Sequence, residues 1–284
     1  VVAHHFTIDV EEVFHSTLLS ERVPEHQWDD LPRRAPEIVS WLLDEMAAVG
    51  AQGTFFVIGW LAEKEPAMVR RISEAGHEIG AHSWWHRSVS GQDPEAFRRS
   101  ARRTKALLEQ LSGTRVTGFR APSFSIDPGS EWAFDVLLEE GYQYDSSLFP
   151  ISIHPTYGYP GGEIDPHWIE RETGALVEVP PLTLGTLGRR FPAAGGAYLR
   201  LLPSGLTRRA LRQAEKRGAS GTLYIHPWDL DVDLPRLRLP PAVRLRLYTG
   251  ARKARKALQR LLAEFPSCPV RDTVCRMANL RNGS

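Results

Sequence analysis

Cysteine is scarce in this 284-residue chain: the two present, Cys268 and Cys275, both lie near its end, with no histidine close by in sequence. Zinc fingers and ribbons need clustered Cys and His pairs, so that class is excluded, while one disulfide or two free thiols both stay open. Long apolar runs are also missing. Without a stretch of about 18 uninterrupted apolar residues there is no transmembrane helix. Nor is there an excess of one charge, since 35 Lys and Arg face 34 Asp and Glu for a formal net charge of +1, and nothing in that balance calls for nucleic acid. No internal repeat is visible. Val1-Val2-Ala3-His4-His5 lacks the apolar core of a signal peptide, and a start at Val rather than Met implies processing or trimming ahead of it.

What the chain does have is an alternation of short apolar strands and amphipathic helices. Phe6 to Val13 alternates apolar and polar residues and ends among acids, as a strand does. Ala35 to Val49 repeats Ile38, Trp41, Leu42 and Met46 at helical spacing before Gly50. Further strands are expected at 53–59, at 116–119, at 142–144 and at 222–225, one more leading into His82, and one at 176–179. Helices are expected at 66–75, 93–111, 131–140, 206–217 and 244–265. Arg98, Arg99, Arg102 and Arg103 read as a solvated helix face. Residues from about 149 to 203 are rich in Pro, Gly and aromatics and read as an elaborated insertion, and residues from about 235 onward as a C-terminal extension. Strand–helix alternation of this length predicts one parallel α/β barrel domain spanning 1–284.

Residues at strand exits gather on one rim of such a barrel. Asp9, Glu11, His82, His86, Arg120, Asp145 and His226 all occupy such exits. His82 and His86, four residues apart, form a pair able to close on one metal ion, and a carboxylate from the first strand completes a two-histidine, one-carboxylate site with an open position. Asp9 and Glu11 share a strand face, so one can bind metal while the other accepts a proton from water. Arg120 is placed to pair with the free carboxylate, and His226 to act as general acid. A leaving nitrogen needs that proton most, which favours amide over ester hydrolysis.

In order and spacing, Asp9-Val10-Glu11, Thr54-Phe55-Phe56-Val57, His82-Ser83-Trp84-Trp85-His86, Phe119-Arg120-Ala121-Pro122-Ser123-Phe124 and Leu223-Tyr224-Ile225-His226-Pro227-Trp228 resemble the five motifs of polysaccharide deacetylases. These are the family 4 carbohydrate esterases with a NodB homology domain. Within them the chain looks closest to deacetylases of exosortase-associated exopolysaccharide gene clusters; Tyr142 to Ser147 and Gly195 to Arg200 extend the likeness. The resemblance implies a distorted (β/α)7 barrel and a divalent metal, most often Zn2+, with Co2+ or Ni2+ as alternatives. By motif position it makes Asp9 the base, Arg120 its orienting partner and His226 the acid, with Glu11, His82 and His86 as metal ligands. The Ser123 backbone N–H corresponds to the oxyanion donor, and Asp145 and Trp228 are candidate substrate contacts. Glu12 competes with Glu11 for the metal, Asp229 is a candidate orienter of His226, and Trp84 and Trp85 are either packing residues or a sugar platform.

The expected activity is de-N-acetylation of N-acetylhexosamine units in a polysaccharide, within exopolysaccharide biosynthesis, the glycan being the substrate partner. Two alternatives remain: an allantoinase-like amidohydrolase acting on a small amide, and a non-catalytic glycan-binding subunit. The basic helix with Arg244, Arg246, Arg252, Lys253, Arg255 and Lys256 reads as a solvated face, with peripheral contact to a membrane or to polysaccharide assembly machinery as the other reading. A cytoplasmic location is favoured, with export left open.

Overall fold

The computed structural model describes residues 2–17, 19, 22–152, 158–186, 188–237 and 239–283. Residues 153–157 and 187 of the expected insertion, and 238 and 284 of the expected extension, lie outside these. In chain order the elements are β1 His5–Val10, α1 Ala35–Ala48, β2 Thr54–Val57, α2 Gly59–Lys64, α3 Pro66–Glu74, β3 Glu78–Ala81 and α4 Pro94–Ser112. Next come β4 Gly118–Phe119, α5 Trp132–Glu139, β5 Tyr144–Asp145, β6 His167–Arg171, β7 Gly174–Glu178, β8 Thr183–Thr186 and β9 Arg189–Pro192. The chain continues through α6 Gly196–Leu201, α7 Gly205–Lys216, β10 Thr222–Ile225, α8 Pro227–Leu230, α9 Pro241–Tyr248, α10 Ala251–Glu264 and α11 Val270–Asn282.

The main sheet runs β10-β1-β2-β3-β4-β5-β7-β6. Every neighbouring pair from β10 to β7 is parallel, and only β6 is antiparallel, folded back on β7. Seven parallel strands therefore curl into the expected α/β barrel. After β7 the chain crosses towards β10, where Pro181 bridges Thr222 and Leu182 N–H donates to Thr222 O at 2.8 Å, drawing the two ends of the sheet together. All six residues of β1 and all four of β2, β3 and β10 are buried, as parallel strands covered by helices must be.

Helix α4 shows how local sequence sets an element. Asp93 caps it by accepting from the N–H groups of Glu95 and Ala96, Pro94 opens it, and Gly113 ends it in the left-handed region at φ 68°. Its buried stripe is Phe97, Ala101, Thr104 and Leu108. The arginines on the other face are not merely solvated. Arg98 and Arg102 pair with Glu140, and Arg103 lies 3.3 Å over the Trp84 ring.

Three expectations need correction. The helix expected over 244–265 is two helices, because Gly250 takes φ 88° between α9 and α10, and a Cβ there would meet Arg200 O at 2.4 Å. The expected insertion holds β6, β7, the β8–β9 hairpin and α6, so it is built from regular elements and completes the sheet rather than looping outside it. Helix α11, unmarked in the apolar pattern, closes the N-terminal end of the barrel. Val270 and Val274 pack with Phe56, Tyr144 and Val177, while Thr54 Oγ1 accepts from Val270 N and buried Glu78 accepts from Arg271 N. Helix α11 thus covers the end of the barrel opposite the strands' C-terminal ends, where the predicted site residues lie.

Candidate active site

Strand β1 delivers Asp9 and, just past its last residue, Glu11 to the open end; both are buried. The loop after β3 delivers His82 and His86. It is fixed by α2, whose Gly59 and Trp60 N–H groups donate to Ser83 O and Trp84 O at 2.9 and 3.1 Å. Among the described residues, positive φ outside glycine occurs only at Ser83, His86, Ser123 and Phe124. All four belong to the two rim segments that carry the predicted motifs. Such conformations cost of order 1–3 kcal/mol each and persist where the surroundings impose them, which is characteristic of functional sites.

His82 Nδ1 lies 2.8 Å from Arg120 O, an acceptor, so Nδ1 carries the hydrogen and Nε2 presents its lone pair. Burial lowers its pKa to about 4 despite nearby Asp9, keeping the imidazole neutral at physiological pH. Glu11 Oε2 approaches His86 Nε2 to 2.8 Å yet makes no hydrogen bond, although it is buried. Two ligand atoms this close without a hydrogen bond, near the His82 lone pair, fit joint coordination of one cation lying beside them. Ligand atoms of Glu11, His82 and His86 all lie within 4.8 Å of one another, so these three residues form a group able to hold a metal ion. Glu12 points elsewhere: its Oε1 accepts from Ala35 N at 2.7 Å, at the start of α1.

Arg120 is wholly buried and donates four hydrogen bonds. Nη1 reaches Asp9 Oδ1 at 2.7 Å and Thr7 Oγ1 at 2.6 Å, Nη2 reaches Ser146 Oγ at 2.8 Å and Nε reaches Ser146 O at 3.1 Å. Burial pushes the Asp9 carboxyl up, but Arg120, His82 and His226 more than offset it and hold the group below its ordinary range. Across the opening, His226 Nε2 lies 3.9 Å from Asp9 Oδ2 and 3.6 Å from Glu11 Oε1. Its Nδ1 lies 3.0 Å from Asp229 Oδ2, and its ring stacks on Trp228 with centroids 4.3 Å apart. Burial opposes protonation of His226, yet Asp229, Glu11 and Asp9 together raise its pKa. Burial likewise disfavours ionised Asp229, but Arg200 and His226 bring its pKa down to about 2.

These side chains line a cavity of about 400 Å³ with Asp9, Glu11, His82, His86, Ser123, His226 and Trp228 on its wall. A second, hydroxyl-lined cleft of about 410 Å³ shares His86 and Ser123 with it and runs on past Ser88, Ser125 and Asp127. Asp145 is not brought to the cavity. It is fully buried, accepts from Ser147 N and Oγ at 3.0 and 2.7 Å, and shares a hydrogen bond with Glu178. Ser147 Oγ in turn accepts from Ala121 N, so the Asp145 side chain props the segment carrying Arg120. Trp84 is buried under Arg103 and Trp85 packs on Trp28; neither lines the cavity. Two cavity residues, Arg200 and Tyr198, escaped role assignment from sequence, although the Gly195 to Arg200 segment that carries them was noticeable as a motif.

Comparison with known proteins finds two family models along the chain. Residues 20–140 match the family model for polysaccharide deacetylase. The chain carries a polysaccharide deacetylase domain. Residues 146–274 match a second model, a domain of unknown function (DUF3473). The chain is 26% identical over 174 residues to a peptidoglycan-N-acetylglucosamine deacetylase of Bacillus cereus, covering 55% of this chain and 61% of that protein. It is 24% identical over 181 residues to the peptidoglycan-N-acetylglucosamine deacetylase PgdA of Listeria monocytogenes, covering 60% and 38%. The chain thus spans less than two thirds of either relative's length. A solved structure from Mycobacterium smegmatis, assigned to the polysaccharide deacetylases, superposes with TM-score 0.64 at 20% identity over 99% of this chain and 92% of that one. The allantoinase Puue superposes with TM-score 0.63 at 18% identity over 98% and 90%. At such identities the two structures share the deacetylase barrel fold with this domain and nothing finer.

Proposed function

We propose that this polysaccharide deacetylase domain removes acetyl groups from N-acetylhexosamine units of a polysaccharide, using a divalent metal held by Glu11, His82 and His86, and that it serves exopolysaccharide biosynthesis. The observation carrying this reading is the placement of ionised Asp9 and Asp229-paired His226 at the same opening as three side chains able to hold a metal ion. When bound, a cation such as Zn2+ polarises the acetamide carbonyl and acidifies water. Asp9, aimed and kept charged by Arg120, accepts a proton from the attacking water as its oxygen bonds to the carbonyl carbon. Ser123, on the cavity wall, contributes its backbone N–H to the resulting oxyanion. His226, with Nδ1–H given to Asp229, passes its Nε2 proton to nitrogen as the C–N bond breaks, leaving acetate and a free amine.

The adjoining cleft favours a polymer over a small amide. Hydroxyls of Ser88, Ser90 and Ser125 and the Asp127 carboxylate line it, with no Lys or Arg among the described lining residues, which suits a neutral sugar beside the reacting one. The test is acetate release from N-acetylglucosamine monomer, tetramer and hexamer by zinc-loaded protein. We expect release that rises with chain length, stops with chelator and is lost in His226→Ala. Release from no such glycan, or a His226→Ala variant as active as wild type, would refute the proposal; turnover of a small cyclic amide instead would mark an allantoinase-like activity.

A further inference from the structure

We infer that Arg200 is a positioning residue for the proton donor, and that the segment of unknown function supplies not only His226 but the frame that aims it. The inference rests on the deacetylase reading above. Arg200 projects from α6 with its side chain 3% exposed. Its Nε donates to Asp229 Oδ1 at 2.8 Å, while Asp229 Oδ2 accepts from His226 N at 3.1 Å and faces His226 Nδ1 at 3.0 Å. Both oxygens of one carboxylate are thus held by different elements, which fixes the plane in which it meets the imidazole. With Nδ1–H pointed at Asp229, Nε2 is the atom left to face the opening, 3.6 Å from Glu11 Oε1.

The same guanidinium reaches further. Arg200 Nη1 donates to Arg246 O, Leu247 O and Thr249 O at 2.6, 2.9 and 3.2 Å, meeting carbonyls that the end of α9 leaves without helical partners. Two glycines clear the way. A Cβ on Gly196 would lie 2.0 Å from Asp229 Oδ2, and one on Gly250 would lie 2.4 Å from Arg200 O. The C-terminal helices, Arg200, Asp229 and His226 therefore form one packed series ending at the reacting atoms. A lysine lacks the planar fork needed to serve the carboxylate and the α9 carbonyls together.

A merely structural staple for α9 would occupy the same place, so the experiment separates the two. Acetate release is measured for wild type, Arg200→Met, Asp229→Asn, the double variant and Gly196→Ala, which displaces the carboxylate while leaving Arg200 in place. We expect each single change to lower kcat about 10- to 100-fold, as loss of an orienting partner does elsewhere, with KM within about twofold of wild type. The double variant should be no slower than its slower parent, and free guanidinium should restore part of Arg200→Met but none of Asp229→Asn. Gly196→Ala should lose kcat with hydrogen-exchange protection of α9 unchanged. Independently of activity, the His226 Nδ1–H proton resonance should be sharp in wild type and lost in both single variants. Retained kcat in Arg200→Met, losses that multiply in the double variant, or an unchanged Nδ1–H resonance would overturn the inference. Inactive wild type would instead refute the deacetylase reading, with the resonance still deciding the role of Arg200.

Discussion

Replacing Arg120 by Met tests how strongly the base is bound into the barrel. Methionine fills most of the aliphatic volume and keeps contact with the Phe56 ring, over which the guanidinium lies at 4.2 Å. Two of the four acceptors lose little: Thr7 Oγ1 still donates to Leu223 O at 2.6 Å and Ser146 Oγ to Val179 O at 2.6 Å. Ser146 O loses its Nε–H donor, and the larger cost falls on Asp9, 2% exposed and suddenly without its cation. Breaking a buried pair in this way costs about 3–5 kcal/mol. For a chain of this size that lowers Tm by about 6–20 °C, measured on metal-free protein by calorimetry or urea denaturation. Asp9→Asn removes the charge that Arg120→Met leaves stranded, so the double variant should be more stable than the sum of the singles by about 1–3 kcal/mol. A loss under about 1 kcal/mol for Arg120→Met, or strict additivity, would refute the reasoning.

Other outcomes follow from the same geometry. Glu11→Ala should abolish tight zinc binding in calorimetric titration, whereas Glu12→Ala should keep it and lose about 1–2 kcal/mol of stability, because Glu12 satisfies the first N–H of α1; equal affinity in the two variants would refute this assignment. Burial pushes both Asp145 and Glu178 up, Asp145 to about 6 although its hydrogen bond with Glu178 holds it down, and Asp145 raises Glu178 further, so the folded pair holds a proton that the unfolded chain has already released. The folded state then binds more protons above about pH 4, and stability falls as pH rises through about 6. Glu178→Gln removes one of these ionisations, so its urea midpoint should fall less than that of wild type between about pH 5 and pH 8; an equal or steeper fall would contradict the shared proton. Gly250→Ala, forced to positive φ and against Arg200 O, should cost more than about 1 kcal/mol in urea denaturation.

Local chemistry made much of this protein legible in advance. Period and caps delimited α4 within a residue at each end, and apolar β-branched runs located β1, β2 and β10, because such features act within one turn or one strand. The strand-exit rule then gathered Asp9, Glu11, His82, His86, Arg120 and His226 without any contact being known, since a parallel barrel points all strand ends one way. Asp145 misled the same rule. It too ends a strand, but it turns into the wall beneath Arg120 and pairs with Glu178, a residue whose acidity at the end of β7 gave no sign of its partner. The break at Gly250 was similarly hidden, because the apolar repeat continues across it and only the approach of Arg200 explains the left-handed turn.

The sequence by itself determined the residue types of the site and the alternation that carries them to one rim, because strand period and motif order are properties of the chain. Only the tertiary structure decided which carboxylate faces the histidines. Glu11 and Glu12 are neighbours with the same chemistry, and what separates them is that adjacent backbone positions point opposite ways, one into the opening and one to the start of α1. It also decided that Arg200 stands behind Asp229. A contact between residues 29 apart depends on how α6 packs against β10 and α8, and no local pattern encodes it.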